Sequence, residues 1–124
     1  MGRNRELLRR EGELRDTLQQ LRAAVALFLS DTGAYPSLLS DIMRPASDAP
    51  QWGLDRQEGC AVSINATDCK GPYLTTADGS LPDNPITGGN VVGTDWFYGV
   101  TAPNVGEVHA PAGSALDGTD YWTW

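Results

Sequence analysis

Residues 3–30 read RNRELLRREGELRDTLQQLRAAVALFLS. Leu7, Leu14, Leu18, Leu21, Val25 and Phe28 recur at steps of seven, four, three, four and three. That is the period of one face of an α-helix and not of a strand. No proline interrupts the stretch, Gly12 is its only glycine, and Glu, Leu, Arg, Gln and Ala dominate it. These are strong helix formers, so the segment is expected to be one amphipathic helix roughly 40 Å long. Ser30-Asp31-Thr32-Gly33 closes it, with Gly33 suited to the left-handed residue that follows a helix and Pro36 blocking continuation.

The rest of the chain differs in kind, being rich in Gly, Pro, Thr and Asp with aromatic clusters. Ser37 is a plausible N-cap for a second, short helix over 38–43, with Leu38, Leu39 and Ile42 as its buried side. Residues 45–58 read as a loop anchored by Trp52, and Cys60–Ile64 as a short strand. Residues 81–89 (LPDNPITGG) are turn-rich. Strand signals gather at the end: Asp95–Val100 alternates, with Trp96 and Tyr98 on one face and Phe97 on the other, Glu107–Ala110 follows a turn at Pro103-Asn104, and Tyr121–Trp124 is a candidate third strand. The expected fold is α+β, one long N-terminal helix packed on a small antiparallel sheet. It makes a single domain over 1–124: helix 3–30, short helix and irregular loops 31–94, C-terminal strands 95–124.

The chain has 124 residues and a net charge of −7, unevenly placed. Residues 1–22 carry six Arg against four acids, a net +2, whereas the remainder carries three bases against twelve acids, a net −9. An acidic lobe does not suit phosphate contacts, which argues against direct nucleic acid binding. The basic helix start suits either a solvated face with i,i+4 pairs such as Glu6–Arg10 and Glu11–Arg15, or the neighbourhood of an anionic membrane surface. Cys60 and Cys69 are too few, with one distant His109, for a zinc site. A disulfide between them is expected, worth at most about 2.7 kcal/mol, and with it an oxidising, extracytoplasmic setting. Asn65-Ala66-Thr67 matches an N-glycosylation acceptor, a match that chance readily supplies.

No nucleophile–base pair, phosphate loop or metalloprotease motif is present, so no enzyme is expected. Asp117-Gly118-Thr119-Asp120 sets two carboxylates three apart. It could supply part of a calcium shell but reads more simply as a turn in which each Asp bonds its own backbone. Leu7, Leu8 and Leu14 lie toward the end that a lobe of this size need not cover, and a half-buried helix invites a partner helix.

With these residues in view the chain resembles the type IV pilin-like proteins, which include the pseudopilins of type II secretion and the pilin-like proteins of competence systems. The likeness is carried by residues 13–36, from Glu13-Leu14-Arg15-Asp16 through Phe28 to Asp31-Thr32-Gly33-Ala34-Tyr35-Pro36. Gly71-Pro72-Tyr73-Leu74 with Leu81-Pro82-Asp83-Asn84-Pro85, Trp96–Gly99 and the Trp-rich end extend it over nearly the whole chain. The resemblance implies a structural subunit assembled by helix–helix packing, with Leu7, Leu14, Leu18, Leu21, Val25 and Phe28 as the assembly face. It implies a homo-oligomeric fibre with other pilin-like subunits, processed by a prepilin peptidase and built by inner-membrane machinery. Membrane anchorage would come through an apolar helix half that is missing here, with a periplasmic lobe that then joins an extracytoplasmic fibre. Nucleic acid would be met only indirectly, in a competence system. Major pseudopilins bind calcium in their last loop, where Asp117 and Asp120 are weak candidates; no other cofactor is implied. The alternative is a soluble extracytoplasmic binding module that dimerises through the helix and uses Trp52, Trp122 and Trp124 as its surface.

Overall fold

The computed structural model describes residues 2–124. Helix α1 spans Gly2–Thr32, 31 residues, and ends where expected. Gly33 takes φ 79°, and its N–H donates to the Leu29 carbonyl at 2.8 Å. Strands β1 (Tyr35–Pro36), β2 (Trp52–Leu54) and β3 (Ala61–Ser63) form an antiparallel sheet in that order, with Tyr35 opposite Leu54 and Gly53 opposite Val62. Strands β4 (Phe97–Tyr98) and β5 (Val108–His109) make a separate antiparallel pair, Tyr98 facing Val108. One long helix with small antiparallel sheets is an α+β arrangement.

The apolar stripe of α1 is the floor of the core. Leu14, Leu18, Leu21 and Val25 pack with Leu39, Ile42, Trp96, Tyr98, Val108 and Tyr121. Phe28 heads a second cluster with Ala34, Ile64 and Cys69. Trp96 and Tyr98 are buried and Phe97 is half-buried, the alternation expected of that strand. Trp96 Nε1 donates to the Pro82 carbonyl at 2.9 Å and the Tyr98 hydroxyl to the Pro36 carbonyl at 2.5 Å. The turn-rich 81–89 segment is fixed by buried Asn84, which donates to the Asp95 carbonyl and accepts from the Ile86 N–H, both at 2.8 Å. At Gly106 a side chain would lie 2.3 Å from the Tyr35 ring, and φ is 79°, so only glycine lets β1 and the β5 approach close together.

Four local expectations are corrected. Residues 39–43 form a 3₁₀ turn, Leu39–Met43, not an α-helix. Its N-cap is Leu38, whose N–H donates to Asp41, while the Ser37 hydroxyl turns away to the Trp52 carbonyl; Leu38 is 62% exposed and only Leu39 and Ile42 of the expected trio are buried. Trp52 is no anchor: it is 57% exposed, and its strand neighbours Gly53 and Leu54 face inward instead. The Tyr121–Thr123 stretch is a 3₁₀ turn and not a third strand, because the Asp120 carboxylate accepts the Trp122 N–H and Arg22 holds the Trp124 carbonyl. The three-stranded sheet lies within 35–63: β3 falls on the strand expected over 60–64, while β1 and β2 form in stretches expected to be turn and loop.

Burial separates the two faces of α1 by their effect on stability. Leu18→Ala is expected to cost about 2–5 kcal/mol, whereas Leu27→Ala, on the exposed face, should stay within about 0.5 kcal/mol of the parent; urea unfolding of the two variants measures the contrast.

Candidate functional site

The six leucine-stripe residues are divided by the fold. Leu14, Leu18, Leu21, Val25 and Phe28 are all buried within the chain's own core, and Leu7 is half-buried. As an assembly face this set is therefore corrected: five of its members are consumed by the lobe. The helix surface that remains open carries Leu8, 58% exposed, and Leu27, 53% exposed. From Asn4 to Arg10 no side chain is buried. The charges there are paired along the helix, Arg9 with Glu6 and Glu13 at 2.5 Å each and Arg10 with Glu6 at 3.1 Å, the last pair as the spacing predicted.

The other predicted pair, Glu11–Arg15, is not made. Glu11 is 6% exposed and turns inward, where its Oε2 accepts from the Tyr121 hydroxyl at 2.7 Å and the Leu116 N–H at 3.1 Å. Burial, with Glu11 as hydrogen-bond acceptor, pushes the Tyr121 phenol up to about 12. Arg15 lies over the Trp124 ring, 4.0 Å from its centroid. Arg22 donates twice to the Val108 carbonyl, at 2.9 and 3.1 Å, and once to the Trp124 carbonyl. One face of α1 thus clamps the C-terminal segment by a carboxylate and two guanidinium groups. A signal for Glu11 was present: it sits between Leu7 and Leu14 on the apolar stripe, where an acid must find donors. The partners, a hundred residues away, were not readable.

Beside the clamp, α1 and β5 leave a groove of about 340 Å³, walled by Val25, Ala26, Leu29, Tyr35 and Val108 with Arg22, Glu107 and His109 at its rim. His109 stacks on Trp122 with ring centroids 4.4 Å apart and planes 11° apart, and Trp122 also packs on Phe97 at 4.7 Å. Both His109 nitrogens are engaged, Nδ1 at 2.9 Å from the Trp122 carbonyl and Nε2 at 2.9 Å from Glu107. That contact holds the Glu107 carboxyl below the usual carboxylate range. This arrangement fixes a surface; it does not set up a nucleophile. Of the three tryptophans read as a binding surface, Trp122 and Trp124 come together at the C-terminal turn, whereas Trp52 belongs to the other sheet.

Asp117 and Asp120 act locally. Asp117 accepts the Thr119 N–H at 3.0 Å and hydroxyl at 2.6 Å, which lowers its carboxyl. Asp120 accepts from the Trp122 and Gly113 N–H groups at 2.9 and 3.3 Å. Among the described residues no three of His, Cys, Asp or Glu are grouped to hold a metal ion. The expected Cys60–Cys69 bridge is not formed: both thiols are free, Cys60 exposed and Cys69 buried beside Phe28. The reason lies in the β2–β3 turn, where the Asp55 carboxylate accepts the N–H groups of residues 57–60 and pins Cys60 there, while the core draws Cys69 in. The negative charge of Asp55 pushes the Cys60 thiol up.

Among the described residues no helix is long and apolar enough to cross a membrane. No family model, no curated protein and no solved structure matches the chain.

The cysteine geometry has a chemical readout. Intact, unreduced protein is expected to retain both thiols and to alkylate at Cys60 alone. Asp55→Asn should speed that alkylation at pH 8 about two- to fivefold, since removing the neighbouring charge raises the thiolate fraction. Time-resolved mass spectrometry reads both, and a mass short by two hydrogens would restore the bridge.

Proposed function

We propose that this chain is the lobe-bearing part of a structural fibre subunit of the type IV pilin-like class, assembled through the open surface of α1. The observation that carries the reading is the division of one 31-residue helix. From Leu14 to Phe28 it is the floor of its own lobe, while its first described turns carry half-buried Leu7 and exposed Leu8. Isolated helical turns are marginal in water, so an uncovered helix start gains stability from a partner. In this reading an apolar segment continuous with α1 anchors the subunit in the inner membrane. A prepilin peptidase and an inner-membrane assembly machine process and stack it, and the lobe faces the periplasm before joining an extracytoplasmic fibre. With the thiols free, this placement rests on the family resemblance alone. The fibre serves protein secretion, DNA uptake or surface adhesion, nucleic acid is met only indirectly, and neither catalysis nor a bound calcium is part of the role.

Antibodies raised against this domain test the reading by immuno-electron microscopy of sheared surface and periplasmic fractions from the source cell. Labelled filaments are the expected result. A label confined to soluble protein would contradict it, and soluble dimers in that fraction would support an extracytoplasmic binding module instead.

A further inference from the structure

His109 is the single histidine of the chain, and both of its ring nitrogens face acceptors. Nδ1 lies 2.9 Å from the Trp122 carbonyl, and a carbonyl oxygen can only accept. Nε2 lies 2.9 Å from a Glu107 oxygen. Hydrogen bonds from His109 and Asn104 hold the Glu107 carboxyl below the usual carboxylate range, so it too only accepts near neutral pH. A neutral imidazole has one N–H and one bare lone pair and satisfies one of these partners. The imidazolium has two N–H groups and satisfies both. Its stack on Trp122, planes 11° apart, adds the attraction of an indole face for a cation. The side chain is 18% exposed, open enough to exchange a proton with water. Around the ring, Glu107 belongs to its own segment, while Arg22 of α1 and Tyr35 of β1 line the same groove. Arg22 turns Nε and Nη2 to the Val108 and Trp124 carbonyls. Asp120 opens the C-terminal turn and accepts from the Trp122 and Gly113 N–H groups, and β4 contributes the uncharged Phe97. Of these charged groups Glu107 is the one bonded to the ring.

We propose that His109 is a proton-operated latch at the rim of the groove between α1 and β5. Charged, it ties the Glu107 carboxylate and the Trp122 carbonyl at once; neutral, it keeps the carbonyl and lets Glu107 go. The choice of which bond breaks follows from the two partners. The Glu107 side chain is 44% exposed and keeps Asn104 as a donor at 3.2 Å, so water readily takes over its freed oxygen. The Trp122 carbonyl belongs to a turn fixed at both ends, by Asp120 on the Trp122 N–H and by Arg22 on the Trp124 carbonyl, and it cannot swing away alone. The proton that leaves is therefore the one on Nε2, and the bare lone pair it leaves behind repels the Glu107 carboxylate. Histidine is the side chain that exchanges a proton with water between about pH 5 and 8. The latch is closed on the acid side of that window and opens as pH rises through it, when the groove rim gains a free carboxylate. The device stands whether or not the chain builds a fibre.

Because the chain has one histidine, a long-range proton–nitrogen NMR correlation of the ¹⁵N-labelled protein reads the ring without ambiguity. At about pH 5 both ring nitrogens are expected to carry a proton, and at about pH 8 Nδ1 alone. The Glu107 side-chain carbon, assigned by its loss in Glu107→Gln, should step with the same midpoint in the parent and show no step over that window in His109→Gln. Glu107→Gln removes the carboxylate from an exposed position and should lower the midpoint of the ring titration by roughly half a unit or more. Circular dichroism checks the fold of both variants, and the Glu107→Gln comparison stands by itself if His109→Gln does not fold. A ring unchanged between the two pH values would overturn the latch. So would loss of the Nδ1 proton in place of the Nε2 proton, a Glu107 step that survives in His109→Gln, or a midpoint unmoved in Glu107→Gln.

Discussion

The lobe depends on the buried stripe of α1. Its strands are two or three residues long, too short to stand without a surface to fold on. Leu14, Leu18, Leu21 and Val25 supply that surface, and Trp96, Tyr98, Val108 and Tyr121 are gathered onto it from segments seventy to a hundred residues away. The helix in turn gains from the lobe what short helices in water lack, a tertiary partner for its apolar side. Neither half explains itself alone.

Polar contacts fix where the covering stops. Glu11 marks the edge: among the described residues it is the first buried side chain of α1, and its carboxylate is matched by the Tyr121 hydroxyl and the Leu116 N–H. Arg22 repeats the device about three turns later, holding β5 and the Trp124 carbonyl together. Such a carboxylate is stable when buried only because both donors are present. Among the described residues every buried side-chain nitrogen or oxygen has a partner. N-terminal to Glu11 the described residues pair along the helix, Arg9 with Glu6 and Glu13 and Arg10 with Glu6, and Leu8 is exposed.

Periodicity made the helix, its end at Gly33 and the inward set from Leu14 to Phe28 legible from the residues, because each follows from local spacing or backbone freedom. Alternation gave the faces of Trp96, Phe97 and Tyr98 for the same reason. What spacing could not provide was the use of a face. The stripe read as an assembly seam was the lobe's own floor, since the sequence does not say how far round the helix a lobe will reach. Trp52 and Leu38 were expected inward, yet Trp52 faces outward at the start of β2 and Leu38 faces outward as the N-cap of the 3₁₀ turn. The Cys60 and Cys69 thiols are close in sequence, but Asp55 holds one in a turn and Phe28 packs near the other. The groove beside β5 and the His109–Trp122 stack join distant segments and had no local signature.

Amide hydrogen exchange along α1 tests the central claim most directly, because protection reports which turns the lobe covers. In dilute, monomeric protein the amides of residues 14–28 are expected to exchange slowly and those of residues 6–10 fast, with the boundary near Glu11. Uniform protection over the whole helix, or fast exchange across 14–28, would contradict the division of α1 into a covered floor and an open start.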